Sequence, residues 1–113
     1  MVARKNYIPD RADIIWVDFS PTKGHEQSGL RPSVVVSNKQ YNSISGLVVI
    51  CPMTKKNKGY FFEVKVFGPD GESYVLVDQV RSIDLKERIN KKDGRVSMEE
   101  IYEIMAKLDV LFQ

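Results

Sequence analysis

The first eighty residues alternate between short apolar runs and polar breaks that carry glycine or proline. Ile14-Ile15-Trp16-Val17-Asp18-Phe19 is rich in β-formers, and period-two spacing puts Ile15, Val17 and Phe19 on one face of a pleat. Ser33-Val34-Val35-Val36-Ser37 and Leu47-Val48-Val49-Ile50 are unbroken runs, the pattern of strands covered on both faces. Phe61-Phe62-Glu63-Val64-Lys65-Val66 alternates apolar and charged residues, as on a half-exposed sheet face. Gly68-Pro69-Asp70-Gly71 is a turn signal that joins this run to Ser73-Tyr74-Val75-Leu76-Val77 as a hairpin. The tail changes period. Ser97-Met98-Glu99-Glu100 has capping-box spacing, and Ile101, Met105, Leu108 and Phe112 then recur as one helical stripe that Ile104 and Leu111 widen. The pattern predicts a mainly β, mostly antiparallel small barrel of about five strands with a C-terminal helix.

Composition narrows the class without choosing a function. The chain has 113 residues, 42% of them apolar and 28% charged, so one globular domain over residues 1–113 is expected. No run approaches the roughly 18 apolar residues of a membrane-spanning helix, and no apolar stretch follows the early basic residues as in a signal peptide. Cys51 is the only cysteine, which excludes an internal disulfide and CxxC-type sites. Set in an apolar run, it reads as a buried structural thiol in a cytoplasmic protein. The net charge of +2 conceals an asymmetry: Met1 to Arg95 carries sixteen basic and eleven acidic residues, whereas Val96 to Gln113 carries one lysine and four acids. A basic body and an acidic tail result. Charge alone is equally consistent with scattered solvated lysines.

Between the first two apolar runs lies Pro21-Thr22-Lys23-Gly24-His25-Glu26-Gln27-Ser28-Gly29-Leu30-Arg31-Pro32. The proline after Arg31 pushes that residue towards extended backbone, so its guanidinium starts from a defined posture. Glu26 lies five residues earlier. The two side chains are open to two readings, a catalytic pair or a surface salt bridge worth about 0–1 kcal/mol.

Asp13-Ile14-Ile15-Trp16-Val17-Asp18-Phe19, Pro21-Thr22-Lys23-Gly24, Glu26-Gln27, Gly29 and Arg31-Pro32 together resemble the MazF/PemK family of toxin endoribonucleases. The likeness continues through Pro52-Met53-Thr54, Lys58-Gly59-Tyr60, Phe62-Glu63-Val64 and Asp78-Gln79-Val80-Arg81-Ser82-Ile83, and is greatest to the MazF branch. The resemblance implies a homodimeric SH3-like barrel that cuts single-stranded RNA at a short sequence without metal or other cofactor. It also implies a cognate acidic, MazE-like antitoxin that occupies the RNA groove. Glu26, Arg31 and Thr54 match the family's proposed catalytic group. Cleavage through a 2′-hydroxyl needs a proton acceptor, donors around the phosphorane and a proton for the departing 5′-oxygen. Glu26 would accept the proton, and Arg31 would brace phosphate oxygens with its planar fork. With a guanidinium pKa above about 12, Arg31 suits electrostatic stabilisation better than acid catalysis. Thr54 would add a hydroxyl; its plainer reading is a strand-end residue bonding its own turn.

The expected RNA contacts are Lys23, His25 and Gln27 in the first loop, Lys55, Lys56 and Lys58 after Thr54, and Asn38, Asp78, Gln79 and Arg81 beside the groove. Tyr60, Phe61 and Phe62 offer rings for stacking on unpaired bases, though at least one should belong to the core. A lone histidine cannot run a two-histidine mechanism. Asp78 matches a catalytic aspartate of the PemK branch, but Leu76 stands where that branch has its arginine, so Asp78 is placed among supporting residues. Ala12 stands where the family more often has glycine. No metal-ligand motif is present. Two rivals follow from the fold: a CcdB-like gyrase-binding toxin, disfavoured by the Leu111-Phe112-Gln113 ending, and an RNA-binding barrel with a dead site.

Overall fold

The computed structural model describes residues 7–19, 29–86 and 89–113. Among these, seven strands and two helices follow in the order β1 (Asp13–Asp18), β2 (Leu30–Val35), α1 (Lys39–Ser45), β3 (Leu47–Thr54), β4 (Glu63–Gly68), β5 (Gly71–Leu76), β6 (Arg81–Asp84), β7 (Ile89–Arg95) and α2 (Met98–Leu111). A single 3-10 turn, Val77–Gln79, joins β5 to β6. The mainly β architecture with a C-terminal helix is as expected. Two more strands and one short helix join the five strands read from the pattern.

All pairings are antiparallel, in the order β4-β5-β3-β2-β1-β7, with β6 added on β3. The eight residues of β3 bend the sheet. Its first half pairs with β6, Leu47 opposite Asp84, while its last two residues pair with β5, Met53 opposite Val75. Curling around β3 yields a half-barrel with two cores. Ile14, Val34, Cys51, Met53, Val64 and Val75 face α2, where Ile101, Ile104 and Leu108 cover them. Ile15, Val17, Phe19, Val35, Val48 and Ile50 form the second cluster on the opposite face. Strands β1 to β3 are thus buried on both sides, which explains why their sequences are continuous apolar runs rather than alternating ones.

Helix α2 carries the expected capping box: Ser97 Oγ accepts the Glu100 N–H at 3.1 Å, and the Glu100 carboxylate accepts the Ser97 N–H at 2.8 Å. Phe112 departs from the expected stripe. It is 74% exposed and lies just past the end of α2, as its C-cap. Ala12 has φ of +84°, the only described non-glycine residue in the left-handed region, so the family's glycine there answers a backbone requirement that this chain meets with an alanine.

Candidate active site

Two prolines loosen the sheet where the site forms. Pro32 lies opposite Trp16 and Pro52 opposite Ser33, and neither has an N–H to give to its neighbour. The β2–β3 ladder spans only Ser33–Val35 and Ile50–Pro52, after which β3 turns to β5. Beyond that ladder Arg31 stays paired with β1, opposite Val17, and Thr54 pairs with Tyr74 of β5. Arg31 and Thr54 both line one cleft of about 200 Å³, with Trp16, Pro32 and Met53 as apolar walls and Lys55, Asp70 and Ser73 as polar ones. The geometry thus joins two of the three expected catalytic residues from positions 23 apart in sequence.

Each has a defined support. Arg31 pairs with Val17 in β1, and Gly29, with φ of +81°, turns the chain into β2 just before it. The Gly29 carbonyl accepts the Phe19 N–H at 2.9 Å, closing the mouth of the first loop. Thr54 is buried, and its Oγ1 accepts the Lys56 N–H at 3.3 Å. That bond realises the turn-bonding role, yet it occupies only an acceptor lone pair, and the hydroxyl keeps its O–H donor. Trp16 is fixed by its Nε1, which donates to Asp93 Oδ2 at 2.9 Å.

Glu26, Lys23, His25 and Gln27 lie outside the described residues. Of the lysines, Lys55 lines the cleft, but its Nζ donates to the carbonyls of Asp70 at 2.7 Å and Glu72 at 3.1 Å. It thereby braces the β4–β5 turn. Lys56 and Lys58 are exposed on the following loop. Asn38 stands past the far end of β2 from Arg31, where it caps α1 by accepting the Tyr41 N–H at 2.7 Å; it does not join the cleft. Asp78 accepts the Tyr60 hydroxyl at 2.5 Å, and burial together with this bond pushes Tyr60 up to about 12. Gln79 ends the 3-10 turn beside Asp78. Arg81 lies with its guanidinium 5.4 Å above the Phe19 ring, at the root of the first loop. Phe62 is the half-buried ring of the aromatic trio, packed edge-on against both Tyr60 and Phe61. The cleft walls Trp16, Met53, Asp70 and Ser73 were not foreseen as site residues. Trp16 and Met53 stood within the family motifs without a site role, and the signal for Asp70 and Ser73 was the Gly68–Gly71 turn, read as a hairpin and not as a wall.

Residues 10–112 match the family model of PemK-like, MazF-like toxins of type II toxin–antitoxin systems. The chain belongs to this family. Over 111 residues it is 48% identical to the endoribonuclease toxin MazF of Escherichia coli (strain K12), covering 98% of each chain. It is 32% identical over 110 residues to the endoribonuclease toxin ChpB of the same strain, with 92% of this chain and 94% of ChpB covered. A crystal structure of MazF from Deinococcus radiodurans superposes with a TM-score of 0.87 at 36% identity, over 95% of this chain and 98% of the other. The chain is accordingly a MazF-like endoribonuclease toxin of a type II toxin–antitoxin system, and the CcdB-like alternative is not favoured.

Proposed function

We propose that this chain, a single domain acting as a homodimer, cleaves single-stranded RNA at a short sequence by attack of a ribose 2′-hydroxyl on the adjacent phosphate. The cleft between β2 and β3 is the reacting centre. The 2′-oxygen bonds to phosphorus, the bond to the 5′-oxygen breaks, and a 2′,3′-cyclic phosphate and a 5′-hydroxyl result. Glu26 takes the 2′-proton, Arg31 stabilises the charge developing on the phosphate oxygens, Thr54 donates a hydrogen bond to the same group, and solvent water protonates the departing 5′-oxygen. The observation that carries this reading is that Arg31 of β2 and Thr54 of β3 line one cleft. None of these steps calls for a metal ion. Lys23, His25, Gln27, Lys56, Lys58, Gln79 and Arg81 guide the strand through charge and base-edge contacts. Asn38 fits this role least, given its distance along β2.

A MazE-like acidic antitoxin is the expected partner. A solved MazE–MazF complex from Deinococcus radiodurans superposes with a TM-score of 0.78 at 32% identity, over 95% of this chain and 97% of the other. The surplus of basic residues before Val96 would attract an acidic tail as it attracts RNA. A cytoplasmic setting agrees with a single buried free thiol. Among the described residues no helix is long and apolar enough to cross a membrane.

The test is to incubate the purified chain with a long mixed-sequence RNA in EDTA and map the 5′ ends of the fragments. Cuts at one short motif, abolished when the nucleotide before the cut is 2′-deoxy, are expected. Uncut RNA would sink the reading, and cutting of the 2′-deoxy substrate would remove the 2′-hydroxyl from the mechanism. If Glu26→Gln cuts at the parent rate, another group is the base.

A further inference from the structure

The loop between β3 and β4 bears the lysines assigned above to RNA, and an acid sits at its base. Glu63, the first residue of β4, turns its carboxylate back into the loop: Oε2 accepts the Lys58 N–H at 2.7 Å and Oε1 accepts the Gly59 N–H at 3.0 Å. Gly59 has φ of +68°, and the Asn57 side chain also accepts its N–H at 3.0 Å. Two successive amides converging on one anion form a nest of the kind that binds phosphate in other proteins, here filled from within. The Glu63 backbone is held in turn. Its N–H donates to the Tyr60 carbonyl at 3.2 Å, and its carbonyl accepts Lys107 Nζ from α2 at 3.1 Å. Lys107 lies 4.8 Å from the centre of the Phe61 ring and 3.4 Å from Glu103. The far end of the loop is tied by Tyr60 to Asp78.

By charge alone, an acid here opposes RNA binding. A carboxylate beside Lys55, Lys56 and Lys58 lowers the local positive potential, so its removal should tighten binding to phosphates. Its geometry argues the reverse. Without the Glu63 carboxylate the Lys58 amide loses this acceptor and the Gly59 amide keeps only Asn57, so the link from this backbone to β4 is lost and the Lys58 side chain becomes one floating charge among many. We propose that Glu63 is a positioning residue for the substrate: by accepting the Lys58 and Gly59 amides it holds the β3–β4 loop in the posture that presents Lys58 to an RNA phosphate. The inference rests on the reading that this loop meets RNA.

Kinetics with a short RNA carrying the mapped motif decide the matter, for the parent, Glu63→Gln, Lys58→Ala and the double variant, at salt from about 50 to about 200 mM. A glutamine supplies one acceptor and turns an N–H against the other amide. Glu63→Gln should raise KM roughly three- to tenfold, in the range of one lost hydrogen-bonded contact, and leave kcat within about twofold. The slope of log KM against log salt should fall by about 0.7, the counterion release of one phosphate on a single strand. The double variant should be no worse than Lys58→Ala, because both changes remove the same contact. A lowered KM would mean that charge alone governs the site, and effects that multiply, or an unchanged salt slope, would equally overturn the proposal. Should Glu63→Gln fail to fold, Glu63→Asp takes its place, keeping the charge but withdrawing the oxygens by one methylene, with the same KM and slope expected. A parent that leaves RNA uncut defeats the underlying reading and this inference together. A parent that cuts, with a KM unmoved by Glu63→Gln, defeats this inference only.

Discussion

Asp13 offers the sharpest test of what holds this half-barrel together. Its side chain is 5% exposed and ties three segments. Oδ2 accepts the Tyr7 hydroxyl at 2.8 Å and the Asp10 N–H at 2.9 Å, while Oδ1 lies 3.4 Å from Arg95 Nε and 3.9 Å from Lys92 Nζ. The two cations are about half exposed, so their pairing with Asp13 contributes about 0–1 kcal/mol. Each hydrogen bond to the charged carboxylate contributes about 1.5–3 kcal/mol. Asp13→Ala removes everything and should cost about 3–5 kcal/mol. Asp13→Asn keeps an acceptor for Tyr7 and Asp10, weakened to neutral strength, and turns its amide towards Arg95 and Lys92, so its cost should be about 1.5–3 kcal/mol. Urea unfolding at one fixed protein concentration reads both values, since any dimerisation makes stability concentration-dependent. The gap between the two variants should persist in 1 M salt, where exposed ion pairs are screened within about 3 Å. Equal losses from Asn and Ala, or a gap that closes in salt, would refute the reasoning and assign the contribution to charge.

Three further outcomes follow from single residues. Ser33 Oγ is fully buried with no hydrogen-bond partner among the described residues, so Ser33→Ala should raise stability by about 1–3 kcal/mol in the same assay; a loss of stability would mean that the hydroxyl is satisfied. Ala12→Gly should relieve left-handed strain of about 1–2 kcal/mol, offset by about 0.4–1 kcal/mol for the freer unfolded chain and about 0.8 kcal/mol for the buried methyl, so stability should stay within about 1 kcal/mol of the parent, whereas a larger loss would show that Ala12 carries no strain. Burial, with the Asp78 charge nearby, pushes the Cys51 thiol up to about 12. A folded pKa above the unfolded one means that the neutral thiol's contribution to stability is complete below about pH 8.5 and is lost as pH rises towards 12. At pH 8 a thiol reagent should leave native protein untouched and label it fully in guanidinium; fast native labelling would contradict the burial.

What was legible in the sequence followed burial. Strands β1 to β3 and the α2 stripe stood out because both faces or one face of each is apolar, and the capping box was spelled out by Ser97 and Glu100. Helix α1 was not legible as a helix: of its seven residues only Asn42 is buried, although Asn38 and Gly46 mark its two caps. Strands β6 and β7 are equally faint. β7 reads Ile89-Asn90-Lys91-Lys92-Asp93-Gly94-Arg95, and it exists because β1 offers it a backbone edge, with irregular register. The site followed the same logic. Arg31 and Thr54 were identifiable by family resemblance, but their meeting in one cleft depends on β3 leaving β2 for β5 after Pro52. The occupation of the Lys55 ammonium by two carbonyls depends on the β4–β5 turn folding beneath it, which no local pattern announces.

The claim at the centre of this account is that the Arg31–Thr54 cleft is where RNA is cut. Single-turnover cleavage of RNA by Arg31→Ala tests it most directly, with the oligomeric state checked by gel filtration. Removal of a donor aimed at developing oxyanion charge should slow the chemical step by about 10²–10³-fold while the protein keeps its fold and assembly. Cleavage by a correctly folded Arg31→Ala within a few-fold of the parent would move the reaction out of this cleft.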